Sequence, residues 1–142
     1  MASSYGPMII EHPIGTTAYA VDSIALSSTI TDGVAGGGVG YTSRQLPVHD
    51  VDTIILQGKA TAGSGSGNVT FSIMGSADGV TWDTVAIGTL VVPLTSGATV
   101  VQSDPLDVSA YALIKLGTIQ NGLTVAVTAV SLTWGKKWPN QF

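Results

Sequence analysis

The chain has 142 residues, a mass of 14.4 kDa and a net charge of −4, which leaves room for one domain. Thr, Val and Ile number 17, 16 and 11. Because β-branched side chains fit a pleated strand better than a helix, this composition excludes an all-α protein. The chain has no cysteine, which excludes disulfides and thiolate metal sites. Five basic residues against nine acidic ones argue against a broad nucleic-acid-binding surface.

Residues 1–17 are expected to form an extended N-terminal arm ahead of a single β-domain over residues 18–142. Pro7 and Pro13 interrupt regular structure in the arm and enclose a short apolar run. An exposed apolar run lowers solubility unless something covers it, so we expect it to dock on a neighbouring surface. An ordinary flexible terminus is the alternative. The run consists of Met8, Ile9 and Ile10.

The N-terminus lacks the basic region and long apolar stretch of a secretory signal. No apolar run approaches the roughly 20 residues that a membrane-spanning helix needs. We therefore expect neither a targeting segment nor a membrane partner.

Seven or eight short strands at even spacing are predicted after the arm. Residues 52–62 and 68–76 are expected to form a hairpin-like pair joined by the flexible connector AGSGSG. Pro93 cannot donate a ladder hydrogen bond, so it is expected on an edge strand or at a strand end. Asn121-Gly122 is the strongest hairpin signal in the chain. Further strands are predicted over residues 18–30, 81–90, 98–102, 111–120 and 123–134.

This spacing predicts an all-β fold, namely a single antiparallel β-sandwich with a jelly-roll-like or Ig-like layout. Alternation of apolar and polar residues identifies the inward face of each strand. The predicted core includes Val69, Phe71, Ile73, Leu113 or its neighbour Ile114, Val125 and Val127.

Few residues could carry out chemistry. The only histidines are His12, in the arm, and His49, beside Asp50 and Asp52. Successive side chains of an extended segment point to opposite sides, so the side chains of His49, Asp50 and Asp52 cannot all point towards one metal ion. The glycine-rich stretch over residues 31–40 has no GK[ST] sequence or helix after it, so it is expected to be a surface loop. We expect no enzymatic activity, no cofactor and no metal.

Aromatic residues gather at the C-terminus in the sequence WGKKWPNQF. Trp134 is expected to end the last strand inside the core. Trp138 and Phe142 follow Gly135 and are expected to dock onto a neighbouring subunit, because aromatic side chains supply large contact areas at interfaces. Together with Met8, Ile9 and Ile10, they are the candidate interface residues.

The sequence FSIMGSADGVTWDTV, over residues 71–85, resembles a pattern in small β-sandwich proteins of tailed bacteriophage particles. In that pattern an apolar strand is followed by G-S-x-D-G-x-x-W and another strand. The sequence DVSAYALIKL, over residues 107–116, resembles the companion segment of those proteins. The resemblance covers about half of the chain, over residues 68–134. The first segment is also similar to discoidin-like carbohydrate-binding modules.

The phage resemblance implies a virion structural protein, most specifically a capsid decoration (cement) protein on the outside of the shell. Its expected partners are the major capsid protein or other virion subunits, and self-association as a homo-oligomer, with a trimer as one form. A neck, tail or head-fibre component belongs to the same class. The second resemblance implies a carbohydrate-binding module or phage adhesin, for which Tyr41, Trp82 and Trp138 are the candidate sugar-contacting aromatics.

Overall fold

The computed structural model describes residues 16–24, 27, 29–31 and 45–137. Within these residues there are eight strands and no helix, so no helix in this part of the chain could span a membrane. The strands are β1 (Thr16–Ile24), β2 (Thr29–Thr31), β3 (Leu46–Pro47), β4 (Thr53–Ser76), β5 (Gly88–Gln102), β6 (Leu106–Asp107), β7 (Leu113–Asn121) and β8 (Val127–Lys137).

All pairings between these strands are antiparallel, and they form one connected sheet around the long strand β4. On one side of β4, β5 runs along almost its whole length. On the other side, the first half of β4 pairs with β8 and the second half pairs with β7. β1 then extends the sheet beyond β8, and β2 extends it beyond β7.

The sheet is folded across its middle, so that its two halves face each other. The register between β4 and β5 shifts between Ala62 and Ser66, where Gly65 has a φ of 76°. Ser96 and Gly97 have φ of 51° and 97° at the matching place in β5. A Cβ added to Gly58, in the first half of β4, would lie 3.0 Å from the Phe71 ring in the second half. The core therefore lies between two halves of one sheet.

The core contains the long-chain aliphatic residues of both halves together with two aromatic residues, Phe71 and Trp134, each fully buried. Val69, Phe71, Ile73, Ile114 and Val127 are buried as predicted, and so is Trp134. Val125 is only partly buried and packs against the core from outside. The all-β antiparallel prediction is confirmed, whereas the finer jelly-roll-like or Ig-like layout stays a prediction.

Three local predictions are wrong. Residues 53–76 form one strand and not a hairpin, because the glycines and serines of the connector let the strand bend while it keeps its partners. Residues 81–87 lie in a loop, and β5 begins only at Gly88. Asn121-Gly122 does form a turn, but the strands that it joins pair with different halves of β4 and not with each other.

Two other boundaries differ in detail. β1 begins at Thr16, two residues before the strand predicted over residues 18–30. β5 continues through Pro93 to Gln102, so the two short strands expected there are one.

The chain contains an internal repeat that the sequence reading missed. The pattern Leu-x-Val-x5-Ile-x-Leu occurs at residues 46–56 and again at residues 106–116. The two copies pair reciprocally, since β3 lies against the start of β7 and β6 lies against the start of β4. The Val48 N–H donates to the Ala112 carbonyl at 2.9 Å, and the Val108 N–H donates to the Asp52 carbonyl at 2.8 Å. Such reciprocity is expected of two similar half-chains related by an approximate two-fold axis.

Candidate functional site

The five candidate interface residues lie outside the described part of the chain. They are Met8, Ile9, Ile10, Trp138 and Phe142, and their role stays a prediction. His12, Tyr41 and the glycine-rich sequence from residue 32 onwards also lie outside it.

Several polar side chains of the described residues stabilise turns. The Asp78 carboxylate accepts hydrogen bonds from the backbone N–H of Thr81 at 2.7 Å and of Val80 at 2.8 Å. These bonds hold the pKa of Asp78 at about 2, below its ordinary value of 3.8, because they stabilise the ionised form. Asn121 caps the turn before β8 in the same way, accepting from the Leu123 N–H at 2.9 Å. These groups therefore serve local structure.

Asp50, next to His49, forms an ion pair. Lys136 is nearly buried, and its Nζ lies 3.0 Å from an Asp50 carboxylate oxygen. This ion pair connects the end of β8 to the turn before β4. The described residues contain no group of three or more side chains suited to binding a metal ion.

One half-buried tryptophan lies on the outer face of the sheet. Trp82 follows the turn that Asp78 stabilises, and the Nζ of Lys115 lies 4.5 Å from the centre of its ring. A cation over an aromatic face is attracted by the negative charge of that face. Trp82 is thus held against β7 with one ring face occupied.

A small hollow of about 290 Å³ lies in the same loop, lined by residues 83–87 and Tyr111. Desolvation raises the pKa of the Tyr111 phenol, and the negative charge of Asp83 and a hydrogen bond to it raise that pKa further. The loop also carries Val80 and Val85, which are 80% and 74% exposed. The hollow therefore combines polar groups with an apolar rim.

β5 presents a long edge to the surface. Among the described residues, it has a hydrogen-bonded partner strand on the β4 side only. Its sequence, GTLVVPLTSGATVVQ, contains no charged residue. Val91 and Val100 are 42% and 53% exposed on it. Soluble β proteins commonly protect such edges with charged side chains, prolines or bulges. β5 has Pro93 and the irregularity at Ser96-Gly97 but no charge, so it is suited to association.

A cleft of about 420 Å³ opens beside this edge, between the first and last residues of β5. Leu56, Leu90 and Leu106 form its apolar part, and the polar part of its lining includes Gln102, Ser103 and Asp104. This volume lies within the usual range of ligand pockets, about 300–1,000 Å³. The cleft and the edge of β5 form one continuous surface, which we call the β5 edge site.

No protein-family model matches the chain, and no curated protein matches it well enough to be a relative. A search of solved structures finds a carbohydrate binding module from glycoside hydrolase family 9 (Cel9A) of Ruminococcus flavefaciens FD-1. That structure is 12% identical, the match covers 81% of this chain and 98% of that chain, and the TM-score is 0.32. A score this low leaves the site to be interpreted from the chain's own residues.

Proposed function

We propose that the chain is a non-catalytic virion structural protein, specifically a decoration protein that binds the outside of a capsid shell through many weak contacts. The resemblance of residues 71–85 and 107–116 to bacteriophage particle proteins supports the particle setting. The observation that carries the proposal is the β5 edge site. A 15-residue edge strand without charge promotes pairing with other chains. Such pairing leads to aggregation in a protein that acts as a monomer, but it provides a binding surface in a protein that acts in an assembly.

Many copies on a lattice turn modest contacts into stable attachment, because each further contact forms at a high effective concentration. The low charge of the chain fits this setting, since few charged side chains need to lose their water when subunits meet.

Immunogold electron microscopy of purified particles tests this function. An antibody against this chain is expected to place gold over the whole outer shell. Gold confined to the neck or tail, or its absence from particles, would contradict the decoration role. A particle-binding assay with Val91→Lys should show lost occupancy. Val80→Lys is the matched control, since it adds the same charge at an exposed residue away from β5.

A carbohydrate-binding module is the second candidate function, favoured by Trp82 beside the Tyr111–Asp83 hollow. A half-buried aromatic ring next to hydroxyl and carboxylate groups is an arrangement that binds sugars. Glycan-array binding that is lost in Trp82→Ala and kept in Val91→Lys would favour this candidate over the decoration role.

A further inference from the structure

We propose that the β5 edge site accepts the N-terminal segment PMIIEHP, residues 7–13, of a second copy of this chain as an added strand. The inference rests on the proposed function, in which many copies assemble, and it names the segment that one copy gives to the next. It assigns a donor and an acceptor to the self-association that the sequence predicts.

Among the described residues, no strand pairs with β5 on the side away from β4. Pro93 has no N–H, so the bonds that β5 makes to β4 are expected to come from the residues that alternate with it. Thr89 and Val91 alternate in step with Pro93, and their N–H and C=O groups therefore point away from β4. Such a row of unpaired groups is a template for another strand.

The C-terminal part of β5, after the irregularity at Ser96-Gly97, also has backbone groups that point away from β4. The Ser103 N–H donates to the Leu56 carbonyl at 2.8 Å, and the Leu56 N–H donates to the Ser103 hydroxyl at 3.0 Å. Residue 103 and its alternates are thus directed at β4, which leaves Val100 and Gln102 pointing outwards. Both ends of the edge can therefore bind a strand.

The donor segment has suitable chemistry for this edge. The segment contains three apolar side chains, Met8, Ile9 and Ile10. Those that face the cleft would be buried against Leu90 and Leu106. The prolines at either end limit the added strand to about five residues, since proline cannot donate to a ladder. Alternate side chains of a short strand would face the cleft and the solvent.

The number of residues between the segment and β1 shows whether the segment of the same copy can reach the β5 edge. Thr16 pairs with Trp134, which pairs with Leu56, next to β5. A strand added outside β5 would lie four strand spacings from Thr16, about 19 Å. The four residue steps from His12 to Thr16 span at most about 14 Å. A docked segment over residues 8–12 therefore belongs to another copy.

Each copy then donates one segment and accepts another through different surfaces. Contacts of this kind close into rings or continue as open chains. A ring of three is one closed form.

Sedimentation velocity of full-length variants tests the exchange. The double variant Ile9→Lys/Ile10→Lys places a charge on both faces of the donor strand, and Val91→Lys places a charge on the acceptor edge. Each is expected to weaken self-association by about tenfold or more, whereas Val80→Lys should leave it within about twofold. Equal thermal unfolding temperatures of Val91→Lys and Val80→Lys would show that the edge variant is folded.

A mixture of the two defective variants gives the sharpest result. The Ile9→Lys/Ile10→Lys copy keeps an intact β5 edge and the Val91→Lys copy keeps an intact segment, so the mixture should form a one-to-one pair that neither variant forms alone. Absence of this pair would overturn the exchange, as would a full-length chain that stays monomeric at the highest concentration reached. If Val91→Lys disrupts assembly and Ile9→Lys/Ile10→Lys has no effect, β5 binds a different partner. In that case the exchange fails, while shell labelling by immunogold still decides the proposed function separately.

Discussion

Gly58→Ala tests whether the two halves of the sheet face each other. The new Cβ would lie 2.9 Å from Leu90 Cδ2 and 3.0 Å from both Phe71 Cε2 and Val92 Cγ2. Carbon atoms in van der Waals contact are about 3.5–4.0 Å apart, so buried side chains must shift. Overpacking of this kind costs about 1–3 kcal/mol, and the lower backbone entropy of alanine in the unfolded chain offsets about 0.4–1 kcal/mol. We expect a net loss of about 1–2 kcal/mol.

Urea unfolding measures this loss as a lower midpoint with an unchanged slope. Gly63→Ala is the matched control, because Gly63 is exposed in the same strand and nothing lies within 4 Å of its added Cβ. The control should be neutral or more stable than the original protein. If Gly58→Ala is as stable as Gly63→Ala, the two halves do not pack as described.

A double-mutant cycle with Leu90→Ala adds a direct test of the contact. Removing the Leu90 side chain makes room for the new methyl group, so the double variant should be more stable than the sum of the two single losses predicts. The coupling expected for residues in contact is about 0.5–3 kcal/mol. Strict additivity would place Gly58 and Leu90 apart.

Three further predictions concern single side chains. Phe71→Ala removes a fully buried ring and should lower the free energy of unfolding by about 3–5 kcal/mol in chemical denaturation. Val85→Ala, at an exposed residue, should change it little. A loss below about 1 kcal/mol for Phe71→Ala would mean that the ring faces solvent. Asp50→Asn removes the charge beside nearly buried Lys136 and should lower the free energy of unfolding by about 1.5–3 kcal/mol. Asp52→Asn, at an exposed residue, should lower it little. Equal losses would show that the ion pair does not stabilise the fold. Asp78 has a pKa of about 2 in the folded protein against 3.8 ordinarily, so its contribution is fully present above about pH 4 and is lost as the pH falls towards 2. The stability difference between the original protein and Asp78→Ala should shrink across that window, and a constant difference would contradict this reasoning.

Strand identity could be predicted where apolar and polar residues alternate strictly. Val69, Phe71 and Ile73 alternate with polar or half-buried neighbours, and all three are buried. Trp134 is fully buried, as predicted for the end of the last strand. Alternation succeeds here because one face of the sheet meets the core and the other meets water.

The pairing of the strands could not be predicted from local signals. The connector AGSGSG is typical of a loop, but β5 pairs with the residues on both sides of it and keeps β4 one strand. Asn121-Gly122 is typical of a hairpin, yet β7 and β8 pair with successive halves of the same side of β4 and not with each other. These outcomes depend on contacts between residues distant in sequence, which no local pattern contains.

The candidate site had one sequence signal, which is Pro93. Its missing N–H indicated an edge strand, and β5 is an edge strand among the described residues. The cleft beside Leu90 and Leu106 had no signal of its own, because it forms only where the two ends of β5 meet. The repeat at residues 46–56 and 106–116 was visible in the sequence but was missed, since only four of its eleven positions are identical.

Hydrogen–deuterium exchange of particle-bound protein tests the central claim most directly, namely that the chain attaches through the β5 edge site. The protein is exposed to deuterated water while bound to particles, then released and analysed by mass spectrometry beside free protein that is dilute enough to be monomeric. The account predicts that peptides covering residues 88–102 gain protection on binding, while residues 77–85 exchange at the same rate in both states. Unchanged exchange in β5 together with new protection elsewhere in the chain would contradict it.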